Sequence, residues 1–163
     1  MTEQIDFLQL RDFAVSTATR AAELITARRE ELVAGDGIAA HTHTKSSDVD
    51  PVTEVDTATE EFIATTIRTQ RPGDGIFGEE GANVESTSGV TWIVDPIDGT
   101  VNFLYGVPDY AVSIGAGYQG HLVAGAVVNV ARGRTYAAAA GQGTTVTGPD
   151  GIEHALRCGQ TQD

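Results

Sequence analysis

The chain contains 163 residues, of which 10 are Lys or Arg and 23 are Asp or Glu, and its formal net charge is −13. So acidic a chain is not expected to bind nucleic acid or an anionic membrane surface nonspecifically, because both interactions depend on clustered Lys and Arg. The single Cys excludes an intrachain disulfide and favours a reducing compartment. The N-terminus lacks the apolar core of a signal peptide or membrane span, so we expect a cytoplasmic protein.

Two amphipathic helices are predicted in the first half of the chain. Apolar residues recur at three- and four-residue steps over residues 7–24, and Gly35 is expected to end this helix. A second apolar stripe over residues 55–67 predicts another helix, which ends before Pro72. Residues 36–50 between the two helices are expected to form a loop.

An acidic segment precedes the second predicted helix. Thr53 and Asp56 have the spacing of a capping box in which Asp takes the place of Glu. In that interpretation Asp56 only favours the positive end of the helix dipole. The alternative is that its carboxylate belongs to a site formed with other acidic residues further along the chain.

The pair Glu79 and Glu80 follows a short apolar strand and has Gly on either side. Adjacent side chains of a strand point to opposite faces. One Glu can therefore face a site while the other faces solvent.

Two further carboxylates, Asp95 and Asp98, follow a second predicted strand. Residues 91–94 are β-branched or aromatic, as in a buried strand. Pro96 cannot donate to a strand ladder, so the strand is expected to stop near Asp95. Taken alone, such a pair is also compatible with a solvated turn. Clustered with Glu79, the carboxylates would repel one another by roughly 4 kcal/mol per pair at ~4 Å and an effective dielectric constant of about 20, and a divalent cation would relieve that repulsion.

Gly99 and Thr100 come directly after the second of these carboxylates. Gly99 has no Cβ, and Thr100 offers a hydroxyl and a backbone N–H where a short helix can begin. Acidic oxygens suit a hard cation, and N–H groups at a helix start suit a phosphate. The segment therefore predicts a metal-assisted phosphate site.

Beyond residue 103 the sequence changes to strands and tight turns. Runs of β-branched and small residues are separated by Gly-containing turns, which predicts an antiparallel meander. Together with the two preceding helices, this order predicts an α+β fold. The predicted strands are residues 110–118, 121–130, 134–140, 144–147 and 152–156.

These acidic motifs match three signatures of one enzyme family. Residues 92–103 agree at every defined position with W-[IV]-[IVL]-D-P-[IL]-D-G-T-x-N-F, and residues 78–80 supply G-E-E. Residues 45–56 fit K-x-x-x-x-D-x-V-T-x-x-D. From about residue 45 to residue 156, the chain thus resembles the inositol monophosphatase family of magnesium-dependent, lithium-sensitive phosphatases.

The resemblance implies a set of Mg²⁺ ligands. Glu79 and Asp95, with the backbone carbonyl of Ile97, would hold a first Mg²⁺. Asp95 and Asp98 would share a second Mg²⁺. Glu79 would also take part in catalysis through this metal site.

The resemblance also implies how the phosphate and the attacking water are held. Gly99 and Thr100 would present backbone amides to the phosphate, with Asp98 beside it. Asp56 would form a hydrogen bond with Thr100, and this pair would orient the attacking water. Lys45 would lie near the metal and the phosphate as a substrate-binding residue.

The fold implied by the resemblance is a layered α/β sandwich, with residues 1–163 as its N-terminal part. That first half would consist of two long helices packed on a mainly antiparallel sheet. Family members continue into a second α/β half, whose W-D-x-x-[AG] signature supplies another metal ligand. The only Trp here, Trp92, belongs to the first signature. We therefore expect little or no activity from this chain by itself.

The function implied by the resemblance is hydrolysis of a phosphate monoester of a small polyol by metal-activated water. Inositol 1-phosphate is the expected substrate. The alternatives are histidinol phosphate, fructose bisphosphate or a nucleotide bisphosphate, or a non-catalytic regulatory protein of the same fold. We expect a lithium-sensitive cytoplasmic homodimer that binds neither nucleic acid nor membranes.

Overall fold

The computed structural model describes residues 5–35 and 51–157. Within these ranges the chain forms three α-helices and eight β-strands. In chain order they are α1 (Phe7–Ala34), α2 (Pro51–Gln70), β1 (Gly75–Gly78), β2 (Asn83–Val84), β3 (Val90–Asp98), α3 (Thr100–Tyr105), β4 (Ala111–Tyr118), β5 (His121–Asn129), β6 (Arg134–Ala139), β7 (Gly143–Thr147) and β8 (Glu153–Leu156).

Helix α1 is confirmed over the predicted range and extends beyond it. Its N-cap residue, Asp6, accepts hydrogen bonds from the backbone N–H groups of Leu8 and Gln9 at 2.9 and 3.4 Å. Gly35 ends the helix, and its N–H donates to the carbonyl of Glu31 at 3.0 Å. The last turn therefore closes on its own backbone.

Helix α2 begins earlier than the capping-box interpretation requires, and that interpretation is wrong. The helix starts at Pro51, so Thr53 and Asp56 both lie inside it. Proline suits a first helical position because its φ is preset and its missing N–H would have no partner within the helix. Asp56 is consequently placed on a helix face rather than at a helix cap.

All eight strands form one sheet in the order β2-β1-β3-β4-β5-β6-β7-β8. The predicted antiparallel meander is confirmed from β4 to β8, and the α+β class is confirmed with it. The exception to antiparallel pairing is β1 with β3, which run parallel with Gly78 opposite Val94. Glu79 directly follows Gly78, and Asp95 directly follows its partner Val94. Because the two strands run parallel, Glu79 and Asp95 come next to each other at the same end of the paired segment.

The two long helices cover one face of the sheet. Helix α1 packs against β4, β5 and β6, while α2 packs against β3 and β1. Trp92 is fully buried in the resulting core. No helix in the described ranges has the length and apolar character needed to cross a membrane. The largest fully buried apolar side chains are Trp92, Phe103, Leu10, Ile25, Ile63, Ile67, Ile97 and Ile114.

The opposite face of the sheet exposes apolar side chains. Phe77 and Leu122 are 61% and 73% exposed, and Ile93 and Tyr136 are also exposed. Gly115 and Gly117 lie among them, where the methyl groups of Leu122 and Ile93 approach. This open face is not covered by any described part of the chain.

Candidate metal and phosphate site

The end of strand β3 contains a β-bulge. Asp95 pairs with Ser113, and Asp98 pairs with Ala111, so β3 has one residue more than β4 between these two pairs. The expectation that the strand stops near Asp95 is therefore wrong, since β3 continues through Pro96 to Asp98. A bulge leaves one residue outside the ladder, so the missing N–H of Pro96 costs no hydrogen bond there.

The bulge decides where the two aspartates point. Side chains alternate along a regular strand, and residues three positions apart would point to opposite faces. The extra residue in the bulge returns Asp98 to the face on which Asp95 lies. Asp98 is exposed, whereas Pro96 and Ile97 are buried. Asp95, which is half-buried, and Asp98 consequently lie on the same side of β3. The negative charge of Asp98 is close enough to raise the pKa of Asp95.

Glu79 lies beside Asp95 across the parallel pair of strands. Its backbone N–H donates to the carbonyl of Val94 at 3.2 Å. Burial, followed by the charge of Glu79 and a hydrogen bond to it, raises the pKa of Asp95 from 3.8 to about 7. The charges of Glu79 and Asp98, the other two predicted metal-binding carboxylates, thus both act on Asp95.

Asp56 reaches the same cluster from helix α2. It is buried, and burial is the main reason that its pKa is raised from 3.8 to about 7. The charges of Glu80, Glu79, Asp95 and Glu60 raise the pKa further, in that order. Glu79 and Glu80 are both exposed, and of these charges that of Glu80 has the largest effect on Asp56. The charge of Glu79, by contrast, is the largest one that acts on Asp95.

The hydroxyl of Thr100 has a different partner from the one expected. It donates to the carbonyl oxygen of Ile97 at 2.9 Å, and no hydrogen bond to Asp56 occurs among the described contacts. A carbonyl oxygen has two lone pairs, so the bond from Thr100 does not by itself fill the carbonyl oxygen of Ile97. Asp56 and Thr100 therefore lie at the cluster without being paired to each other.

Gly99 allows helix α3 to begin directly after the bulge. Its φ of 86° is in the left-handed region, and a Cβ at this position would lie 2.9 Å from the carbonyl oxygen of Asp109. Both observations show that a residue other than glycine would be strained at position 99. The predicted short helix is confirmed at Thr100–Tyr105. The role of its backbone amides toward a phosphate stays a prediction.

The chemistry of the cluster fits a hard divalent cation. Asp95 Oδ1 is buried and has no hydrogen-bond partner among the described residues. A cation would supply that partner and remove the repulsion that, after burial, raises the pKa values of Asp95 and Asp56. In residues 5–35 and 51–157, no three His, Cys, Asp or Glu side chains already converge as a metal-binding group. Binding would therefore draw the exposed side chains of Glu79 and Asp98 toward Asp95.

Two further residues bear on the site: Lys45, which was predicted, and Glu60, which was not. Lys45 falls outside the described residues, so its proposed place near the phosphate is untested. Glu60, by contrast, is buried beside the cluster and was not predicted. The available signal was the buried stripe of α2, where Asp56, Thr59 and Glu60 occupy positions between Val55 and Ile63 that apolar residues usually fill.

Comparison with known proteins identifies close relatives. The model of the inositol monophosphatase family matches residues 6–162. An inositol-1-monophosphatase of Mycobacterium bovis is 50% identical over 159 residues, covering 92% of this chain and 54% of that protein. A histidinol-phosphatase of Chlorobaculum parvum is 43% identical over 98 residues, covering 60% of this chain and 38% of that protein.

The fold is also that of a solved structure. Mycobacterium tuberculosis SuhB superposes with a TM-score of 0.79 at 43% identity, over 97% of this chain and 55% of that one. The chain thus spans about half the length of the relatives it matches.

Proposed function

Because this chain belongs to the inositol monophosphatase family, we propose that the protein hydrolyses a phosphate monoester with the help of Mg²⁺. The observation that carries the proposal is the cluster at the end of β3, where Asp95 Oδ1 is buried with no partner in the described ranges, beside the charges of Glu79 and Asp98. Such an arrangement is unfavourable without a cation.

The proposed metal ligands are Glu79, Asp95, Asp98 and the carbonyl oxygen of Ile97. Bound Mg²⁺ would supply activation of water and neutralisation of phosphate charge. Asp95, on which the charges of both other carboxylates act, would contribute to both metal positions. Oxygen ligands of this kind are those that Mg²⁺ prefers.

The remaining site residues would hold the substrate and a proton. Gly99 and Thr100 would donate their backbone N–H groups to the phosphate, and Asp98 would lie beside it. Asp56 is an acceptor within reach of the cluster's charges and would orient the attacking water together with Thr100. Lys45 would add a positive charge near the phosphate.

Inositol 1-phosphate is the substrate we propose first. The support is the 50% identity to the M. bovis protein, which is named an inositol-1-monophosphatase. Histidinol phosphate is the second candidate, because a relative that is 43% identical over 98 residues is named a histidinol-phosphatase. The same metal chemistry serves both substrates, so they differ in the alcohol that must be held. The proposed enzyme is a lithium-sensitive cytoplasmic homodimer, as the family resemblance and the single cysteine lead us to expect.

Phosphate release from a panel of phosphomonoesters tests this proposal. A full-length protein containing this segment is expected to release phosphate in Mg²⁺, to lose this activity in a chelator, and to prefer inositol 1-phosphate. Asp95→Asn should abolish most of the activity, while the exposed Glu61→Gln serves as a matched control that leaves it unchanged. Phosphate release from none of the esters would contradict the proposal and favour a non-catalytic protein of this fold.

A further inference from the structure

Glu60 is a buried carboxylate on helix α2, one helical turn after Asp56. Only 4% of the residue is exposed. Its Oε2 accepts a hydrogen bond from the backbone N–H of Glu80 at 2.7 Å, and its Oε1 accepts one from the N–H of Ala82 at 2.8 Å. Both carboxylate oxygens thus hold the backbone of the turn that follows strand β1.

The turn is shaped around this carboxylate. The N–H of Gly78 donates to the carbonyl of Ala82 at 3.0 Å and closes the turn. A Cβ on Gly78 would lie 2.6 Å from the carboxyl carbon and Oε2 of Glu60. No ordinary Cβ contact is so short, so a side chain at position 78 would push the Glu60 carboxylate away from its two amide donors.

The same turn carries Glu79, whose N–H donates to the carbonyl of Val94, the residue before Asp95. The backbone of Glu79 is therefore held on both sides. One side is the strand that carries Asp95, and the other is the Glu60 carboxylate one residue further along the turn. Release of either contact would allow the Glu79 side chain to move relative to Asp95.

We propose that Glu60 is a positioning residue for the metal site. Its carboxylate fixes the turn through the N–H groups of Glu80 and Ala82, and so holds Glu79 in reach of Asp95 without itself binding the metal. The inference rests on the proposed function, because it assumes that Glu79 is a metal ligand. Charge-assisted hydrogen bonds to backbone amides are stronger than neutral ones and suit such a role. Residues that orient metal ligands commonly contribute about 10–100-fold to metal affinity.

The test compares Glu60→Gln with Glu61→Gln on the same helix. Glutamine at position 60 has nearly the shape of glutamate, but its NH₂ group would face one of the two backbone N–H donors. The hydrogen bond from that donor would be lost. Glu61 is 65% exposed and bonds only to other side chains of α2, so its substitution is a matched control. Calorimetric titration of the 163-residue chain with Mg²⁺ gives the affinity, and thermal melting in a chelator gives the stability without metal.

Glu60→Gln is expected to raise the Kd for Mg²⁺ by about tenfold or more, whereas Glu61→Gln leaves it unchanged. Gly78→Ala disrupts the same contact from the side of the turn, and it is expected to raise the Kd for Mg²⁺ by a similar factor. The two substitutions combined should weaken binding no more than the stronger one alone, because they disrupt one shared contact. Neither effect is expected of a residue that only stabilises the fold.

Three results would overturn the inference. If Glu60→Gln melts lower in chelator but binds Mg²⁺ with unchanged affinity, Glu60 is only structural. If neither Glu60→Gln nor Gly78→Ala gives a cooperative melting transition, the carboxylate is required for folding rather than positioning. If the unsubstituted chain itself does not bind Mg²⁺, the proposed function fails and this inference fails with it.

Discussion

The indole Nε1 of Trp92 donates a hydrogen bond to Asp74 Oδ2 at 2.8 Å, and both residues are buried. The hydroxyl of Ser88 donates to the other oxygen, Oδ1, at 2.6 Å. Arg71 forms an ion pair with the same carboxylate, and its guanidinium lies 5.7 Å from the ring of Trp92. These contacts join the end of helix α2 to the start of strand β3, which carries Asp95 and Asp98 at its other end.

Trp92→Phe is expected to lower the unfolding free energy of the chain by ~2 kcal/mol. The substitution removes one donor from a buried carboxylate and leaves a void in the core, while Ser88 and Arg71 keep Asp74 partly satisfied. Urea denaturation in a chelator measures the effect apart from any metal. The exposed Tyr105→Phe is the matched control, with an expected change within about 0.5 kcal/mol. Equal effects of the two substitutions would show that the buried hydrogen bond contributes little.

Stability without metal is expected to fall as the pH rises from about 5.5 to about 8. The pKa values of Asp56 and Asp95 are raised from 3.8 to about 7, so the folded chain binds protons in this interval that the unfolded chain has released. The state that binds more protons is favoured at low pH. A loss of ~1 kcal/mol would lower the Tm by ~2–4 °C.

The same pH series has an internal control. Asp95→Asn removes one of the two groups and should flatten the dependence of Tm on pH in chelator. The apparent affinity for Mg²⁺ should change in the opposite sense and increase with pH, because the metal displaces the protons. A Tm in chelator that rises across this interval would contradict the raised pKa values.

Substitutions of four acidic residues are expected to lower activity by different amounts, according to how directly each side chain would act on the metals. In a full-length protein containing this segment, Asp95→Asn should lower kcat/KM by ~10³-fold, because it removes a ligand of both metal positions. Asp56→Asn should cost less, on the order of 10²-fold, since it disturbs only the orientation of water. Glu79→Gln should cost more than Glu80→Gln, because the charge of Glu79 is the largest one that acts on Asp95. Steady-state kinetics at saturating Mg²⁺ provide the measurement, and equal losses for the two Glu variants would overturn the assignment of Glu79.

The chain of 163 residues by itself is expected to show little or no phosphatase activity. It spans 54% of the M. bovis relative, and within the described residues the second metal position has only Asp95 and Asp98 as candidate carboxylates. Weak metal binding and an unheld alcohol group would remove the positioning that commonly lowers the barrier by several kcal/mol. Turnover of inositol 1-phosphate by this chain should be compared with that of the M. bovis protein. Comparable turnover would show that the chain needs no further ligands.

The sequence was sufficient to predict the parts of the site that lie in one short segment. The carboxylates, glycine and threonine of residues 95–100 are close because they are neighbours in the chain, and the start of α3 was predicted from Gly99 and Thr100. The bulge at Pro96 was missed because proline was taken to end the strand, whereas an unpaired bulge position tolerates it. Glu60 was missed because its partners Glu80 and Ala82 are 20 and 22 residues away. Asp74 was missed because its partners Ser88 and Trp92 are 14 and 18 residues away. Both sets of contacts form only when the strands pair with α2 alongside.

Binding of a divalent cation by Glu79, Asp95 and Asp98 is tested by the shift of Tm between chelator and Mg²⁺. At a Mg²⁺ concentration of about 100 times its Kd, binding adds ~2.7 kcal/mol of stability. For a chain of this size that corresponds to a rise of roughly 5–10 °C in Tm. This rise in Tm is expected for the unsubstituted chain and for Glu61→Gln, and it is expected to be absent in Asp95→Asn. An unchanged Tm in the unsubstituted chain, or an equal rise in Asp95→Asn, would contradict the claim.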